Sequence, residues 1–305
     1  MKLVSFSDGR AGIDLGQQIL DIQKTALKNP DFKEIPGAVL GLIRSESACA
    51  KLTNIIAGAQ TSNADKFVLI DKAQAELSAP FDPLTIYAVG MNYSDHLEEM
   101  DTPTPSRPYS FVKASTSVIG SGQPIILPKG HESMVDWEAE LAIVIGKEGY
   151  QISENAALSH IFGYMCANDI SARDWAVNAL DPASPLVVVE RWARNLLGKQ
   201  YPTFGPLGPA LVTADEVGDP TKLDIQCRIN GAIMQKSNTR KMVFGVAHLV
   251  SYLSQFQKLR PGDVILSGTM GGVGFGRNPK LFLKPGDVVE VEVENIGILK
   301  NQVRL

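Results

Sequence analysis

The stretch VDWEAELAIVIGK, residues 135–147, separates a sheet-built protein from a helical one. Its apolar run is short, β-branched and closed by a glycine, which suits a strand. A strand alternates its faces, so Glu138 and Glu140 point one way while Trp137, Ala139 and Leu141 point the other. The glutamate face then continues as Ala142 and Val144, which are core residues by type. Two carboxylates side by side repel each other. A buried ionised carboxylate must be paired or bind a metal, because desolvating it alone costs several kcal/mol. The C-terminal VVEVEVENIG serves as an internal control: Glu290, Glu292 and Glu294 alternate with valine, and a half-buried strand with a solvated acidic face accounts for them. At 138 and 140 the spacing leaves two readings, a solvated edge or a metal site. The absence of alternating lysine or arginine weakens the first.

The same texture extends from TIYAVGMNY to the C-terminus. SVIGSGQPIILP, LAIVIG, GPALVT, LDIQCRINGAI, GDVILSG and GDVVEVEVENIG are short β-branched segments between Gly/Pro turns. Helical spacing appears at SENAALSHIFGYM, with Ser153 as cap, and at VFGVAHLVSYLSQF. Residues 1–78 read as a small α/β domain. In it KLVSF is a strand, GQQILDIQKTALKNP a helix ending at Asn29-Pro30, and SESACAKLTNIIAGA a Ser-capped helix. SAPFDPLTI, with two prolines, is the linker to a second domain over 79–305. No regular strand-helix alternation supports a doubly wound sheet, so the expected class is α+β and β-rich.

The 305 residues are 44% hydrophobic and 20% charged with net charge −4, which gives no electrostatic reason to expect nucleic acid or an anionic membrane as partner. The N-terminal apolar stretch of about four residues is too short for a signal peptide, and no apolar run reaches membrane length. Cys49, Cys166 and Cys227 are an odd, widely spaced set that reads as reduced thiols, which points to the cytoplasm.

A third carboxylate sharpens the metal reading. Asp169 in CANDISARDW follows an apolar run, with Arg173 and Asp174 close behind. Alone it fits a helix or turn cap. With Glu138 and Glu140 it makes an all-oxygen site without histidine, which favours Mg²⁺ or Mn²⁺ over zinc and leaves positions for water and a chelating substrate. Of four histidines, His131 and His160 read as surface residues and His248 as a packed helix residue. His96 and Glu99, three apart in a polar turn, are either a surface pair or a base with its orienting carboxylate. The glycine-rich GDVILSGTMGGVGFGR has neither dinucleotide nor P-loop spacing. Its loop, residues 268–276, is expected to bring amides and Thr269 close to a small anionic ligand. No G-x-S-x-G elbow is present.

Together VGMNYSDHLEEM, RPYSFVKASTSVIG, DWEAELAIVIGK, IFGYMCANDISARDW, GKQYPTFGPLGPALVT, GDVILSGTMGGVGFGR and LKPGDVVEVEVENIG, in this order over about residues 80–305, resemble the fumarylacetoacetate hydrolase family. Within that family the chain resembles the acylpyruvase-like and 2-hydroxyhepta-2,4-diene-1,7-dioate isomerase members. The resemblance implies a mixed β-roll catalytic domain, a homodimer, and Mg²⁺ or Mn²⁺ held by Glu138, Glu140 and Asp169. It also implies that His96 with Glu99 lies on a mobile lid and activates water, that Lys199 is the active-site lysine, and that Arg173, Thr269 and Lys113 contact substrate. Three features depart from the family pattern: Ala176 where a glutamine is usual, Met270 in place of proline, and a longer, more apolar NALDPASPLVVVERWARNLLG before Lys199.

The expected function is therefore a metal-dependent hydrolase that cleaves a C–C bond in an acylpyruvate or β-diketo acid during aromatic compound catabolism. The alternatives are decarboxylation of an oxaloacetate-like 2-oxo acid, or 2-hydroxydienoate isomerisation and tautomerisation, at the same site. A more distant alternative is a catalytically silent, metal-stabilised binding protein.

Overall fold

The structure, a computed structural model, describes every residue except 46, 60–65 and 178–180, so the start of NALDPASPLVVVERWARNLLG lies outside the described residues. Ala139–Ile145 is a central strand of the larger sheet. That sheet runs Leu69–Asp71, Gln18–Asp21, Ala11–Asp14, Lys2–Ser5, Gly205–Thr213, Ile161–Asn168, Ala139–Ile145, Val264–Thr269, Ile86–Gly90, Tyr109–Lys113. Most neighbours are antiparallel, but Val264–Thr269 pairs in parallel with Ile86–Gly90. A smaller sheet runs Ala232–Asn238, Asp224–Ile229, Val288–Val293, Gly297–Arg304, Ile125–Ile126. The architecture is α+β and β-rich, as the spacing of short segments predicts.

The expected alternation of the central strand divides the hydrophobic interior. Leu141, Ile143 and Ile145 pack in one core with Cys166, Val212 and the inward residues Ile225, Val291 and Leu299 of the smaller sheet. Ala142 and Val144 pack in the other with Met165, Leu211, Leu266 and the N-terminal Leu3, Ile22 and Leu42. Both faces are buried because a sheet or helices cover each. The N-terminal strands extend the larger sheet, with Leu3 opposite Leu211.

Two segments differ from their expected helices. Gln18–Asp21 is a strand paired to Ala11–Asp14, and the helix is confined to Ile22–Ala26 behind Asp21, whose Oδ1 accepts the Lys24 N–H at 2.9 Å. SENAALSHIFGYM forms one helical turn, Glu154–Ala157, a 3₁₀ turn at Leu158–His160, and then the strand Ile161–Asn168. In both, a short apolar run satisfies either period, and pairing with a neighbouring strand decides. The helices Ala48–Ala59 and Val246–Ser254 stand where the spacing places them. Among the described residues no helix is long and apolar enough to cross a membrane.

Candidate active site

Strand pairing brings three acids together. Glu138 sits between the short strand Val135–Asp136 and Ala139–Ile145, and Asp169 directly follows Ile161–Asn168. Backbone and side chain lock the two chains here: Asp169 N–H donates to the Glu138 carbonyl at 2.9 Å, and Glu138 N–H donates to Asn168 Oδ1 at 2.9 Å. Glu140 stands between Ala167 and Thr269, and its Oε2 accepts the Gly268 N–H at 2.7 Å. One oxygen from each of Glu138, Glu140 and Asp169 lies within 4.8 Å of the others. The three residues are 7%, 1% and 2% exposed.

Their electrostatics test whether a cation belongs here. At Glu138 burial opposes ionisation, but Lys199 and Arg173 prevail and hold its carboxyl at about 2. At Glu140 burial and the neighbouring Asp169 and Glu138 push the carboxyl well above the usual range. No cation pairs with Glu140 among the described residues. Three converging buried carboxylates, one of them without a cation of its own, are the donor set of a hard divalent ion, and the three residues fit one.

The surrounding cations serve the acids. Lys199 Nζ donates to Glu138 Oε2 at 2.5 Å, Asp169 Oδ2 at 2.7 Å and Ser171 Oγ at 2.7 Å. Burial works against its charge, but Asp169 and Glu138 outweigh burial and raise its pKa, so it stays an ammonium. Arg173 binds Glu138 Oε1 through Nη2 at 2.5 Å and Asp136 Oδ2 through Nε at 3.0 Å. Lys113 lies 2.8 Å from Asp169 Oδ1 as an ion pair and donates to the Lys199 carbonyl. Fully buried, Lys113 faces Asp169 and stands apart from the cavity wall, where the resemblance implied a substrate contact. Burial pulls its pKa down. Thr269 Oγ donates to the Ala139 carbonyl at 3.0 Å and accepts from Gln235 Nε2 at 2.9 Å.

His96 and Glu99 share the helix Ser94–Glu99, with His96 Nδ1 3.2 Å from Glu99 Oε2. Glu99 Oε1 accepts the Gly272 N–H at 2.9 Å, while Asp95 accepts from Ser237 Oγ at 2.6 Å, Lys241 Nζ at 3.3 Å and Gly271 N–H at 3.3 Å. The glycine-rich loop thus seats the helix. A Cβ at Gly276 would stand 2.5 Å from Glu99 Cδ, so a larger residue there would push the Glu99 side chain aside. The loop's amides, expected to meet a small anion, bind the protein's own carboxylates: Gly268 on Glu140, Gly272 on Glu99, and Gly274 (2.6 Å) with Phe275 (3.1 Å) on Asp136.

These groups open on a cavity of about 620 Å³. Glu138, Glu140, Asp169, Lys199, Arg173, Thr269 and His96 line it, and so does Ala176. Its remaining wall includes Val188, Arg191, Trp192 and Asn195 of the helix Val187–Leu197, within the segment that reads as unusually long. Met270 is buried, and its carbonyl accepts Gln235 Nε2 at 2.8 Å. Sequence reasoning missed Asp136 and Gln235. Asp136 was signalled, since DWEAE places it in register with Glu138 and Glu140. His131 pairs with Asp174 at 2.6 Å and His248 with Glu154 at 3.1 Å, both away from the cavity wall.

Residues 85–304 match the family described as fumarylacetoacetate (FAA) hydrolase C-terminal. A mitochondrial oxaloacetate tautomerase of Xenopus laevis is 45% identical over 236 residues, 77% of this chain and 70% of that protein. A mitochondrial oxaloacetate tautomerase of Homo sapiens is 46% identical over 221 residues, 72% of this chain and 67% of that protein. Maleylpyruvate hydrolase from Sphingobium sp. SYK-6 superposes with a TM-score of 0.77 at 30% identity, covering 100% of this chain and 99% of its own. The same enzyme has been solved with manganese(II) and pyruvate, at a TM-score of 0.75 and 29% identity, again covering 100% and 99%. Matching motifs, fold and relatives agree, and the chain belongs to the fumarylacetoacetate hydrolase family.

Proposed function

We propose that this family member is a divalent-cation-dependent tautomerase that exchanges the enol and keto forms of an oxaloacetate-like 2-oxo acid. The observation that carries the reading is the meeting of a buried three-carboxylate site and His96 on one cavity. Relatives 45% and 46% identical that are named oxaloacetate tautomerases support it over the hydrolase that the motifs alone suggest. Mg²⁺ or Mn²⁺ at Glu138, Glu140 and Asp169 would polarise the 2-oxo carbonyl and stabilise negative charge on its oxygen. The chain's own groups do the rest. Lys199 holds Glu138 ionised, donates to Asp169 and adds positive charge beside the triad. Glu99 engages His96 Nδ1, which leaves Nε2 to take a proton from carbon 3 and, as imidazolium, to return one to the enolate oxygen. One C–H bond breaks, one O–H bond forms, and no water is consumed.

The His96–Glu99 pair also supports a second reading, in which the base activates water to cleave the C–C bond of an acylpyruvate or β-diketo acid. The two readings separate experimentally. With Mn²⁺ or Mg²⁺, the protein should speed the decay of oxaloacetate enol beyond the ion alone, without forming pyruvate or a cleaved acid. Cleavage products from fumarylpyruvate, lost in His96→Ala, would favour the hydrolase, and pyruvate from oxaloacetate would favour a decarboxylase. No turnover of any 2-oxo acid, with ligand still raising Tm, would leave a binding protein. A homodimer, checked by light scattering, and a cytoplasmic location complete the proposal, although the named relatives are mitochondrial.

A further inference from the structure

We propose that Arg191 selects the substrate by taking a second, terminal carboxylate, so that the site prefers dicarboxylic over monocarboxylic 2-oxo acids. This rests on the 2-oxo acid reading above. Val188, Arg191, Trp192 and Asn195 fall at i, i+3, i+4 and i+7 of one helix, share a face, and line the cavity together. The other cations on the cavity wall are committed: Lys199 to Glu138 and Asp169, and Arg173 to Glu138 and Asp136. The Arg191 side chain has no ion pair or hydrogen bond among the described residues. Its guanidinium therefore offers a full set of donors, in a geometry that matches a carboxylate.

The rest of the wall narrows the ligand. Val89, Met91, Phe111 and Phe275 are apolar, and Ala176 adds no polar atom, so among the described residues the helix wall offers, beside Arg191, only Asn195 and the Trp192 indole N–H as polar groups. A volume of about 620 Å³ lies mid-range for pockets that hold drug-sized ligands, and it exceeds what a four-carbon acid fills. The matching molecule carries its 2-oxo acid at the triad, an apolar middle against the aromatic wall, and an anion at the far end.

The test uses the full chain with Mn²⁺ and calorimetric binding of three probes. Oxalate reports the chelating end alone, while 2-oxoadipate and 2-oxohexanoate share a chain length and differ in the terminal carboxylate. The wild type should bind 2-oxoadipate more tightly than 2-oxohexanoate. Arg191→Gln should weaken 2-oxoadipate about tenfold, roughly 1.4 kcal/mol, and leave oxalate and 2-oxohexanoate unchanged. Arg191→Lys should recover part of the loss. Equal weakening of both six-carbon acids, or of neither, overturns the assignment while oxalate binding upholds the 2-oxo acid site. Failure of the wild type to bind oxalate or either oxo acid overturns the site itself, and the role of Arg191 with it.

Discussion

Two strands of this chain alternate glutamate with apolar residues and reach opposite chemistry. On Val288–Val293 the acids lie on an outer face. Glu290 meets Arg228 at 3.1 Å and Lys300 at 3.1 Å, and Glu292 meets Arg228 at 2.6 Å and Gln226 at 2.8 Å. Hydrogen bonds, from Lys300 first at Glu290 and from Arg228 first at Glu292, hold both carboxyls below their ordinary values. In DWEAE the same alternation is buried. Asp136 and Glu138 share Arg173, and Glu138 also has Lys199, but Glu140 has no cation of its own. With Asp169 counted, four buried acids face the three cations Lys113, Arg173 and Lys199. Alternation alone therefore does not make a metal site. What stands opposite each acid does.

Removing an acid that is both ligand and ion-pair partner should break the inner strand hardest. Glu138→Gln or Asp169→Asn should lose bound Mn²⁺ and reduce turnover about a thousandfold, several kcal/mol of transition-state stabilisation. Each also leaves buried cations under-compensated, so Tm should fall. Wild-type metal content in both variants would sink the triad. Glu140→Gln separates the two roles: metal binding is lost, yet the metal-free protein should melt higher than wild type, because a buried carboxylate crowded by like charge is gone. A lower metal-free Tm contradicts the account.

The same residue predicts a pH dependence. A raised folded pKa means that the metal-free fold binds more protons at Glu140 than the unfolded chain does. Its contribution to stability is whole below the ordinary glutamate pKa and declines as pH rises towards the folded value. A divalent ion displaces that proton, so Mn²⁺ should raise Tm more at about pH 7.5 than at about pH 5. An equal increment at both would remove Glu140 from the ligand set. Smaller is Asp95→Ala, which unfastens the His96 helix from Ser237, Lys241 and Gly271. It should cost about tenfold in kcat/KM with metal content unchanged. Smallest is Glu292→Gln on the outer strand, expected within about 0.5 kcal/mol by denaturant titration and without effect on metal.

The β-rich class, the strand at 139–145 and the convergence of Glu138, Glu140 and Asp169 were legible because alternation and motif order are local signals. Gln18–Asp21 and Ile161–Asn168 were not, since their short apolar runs fit either period until a neighbouring strand pairs with them. The resemblance brought the cations to the site, but which partners they take was illegible for another reason. Lys113 touches the Lys199 carbonyl across 86 residues of chain, and Lys199 reaches Glu138 across 61. No local spacing encodes such meetings. The departures Ala176 and NALDPASPLVVVERWARNLLG both stand out in the sequence, and Ala176, with Val188, Arg191, Trp192 and Asn195 of that segment, borders the cavity.

The strand Ala139–Ile145 belongs to two hydrophobic interiors at once. Neither interior can be dissolved without exposing it, so its amides should exchange with solvent only when the whole molecule opens, whereas those of Ser94–Glu99, hung on side-chain contacts, should exchange through local excursions. Glu140 is thereby mounted on the slowest part of the protein, with Glu138 and Asp169 beside it, and His96 on one of the faster. On the proposed function, ligand entry would need only the His96 helix to yield, and a bound ion would stay in place through every turnover.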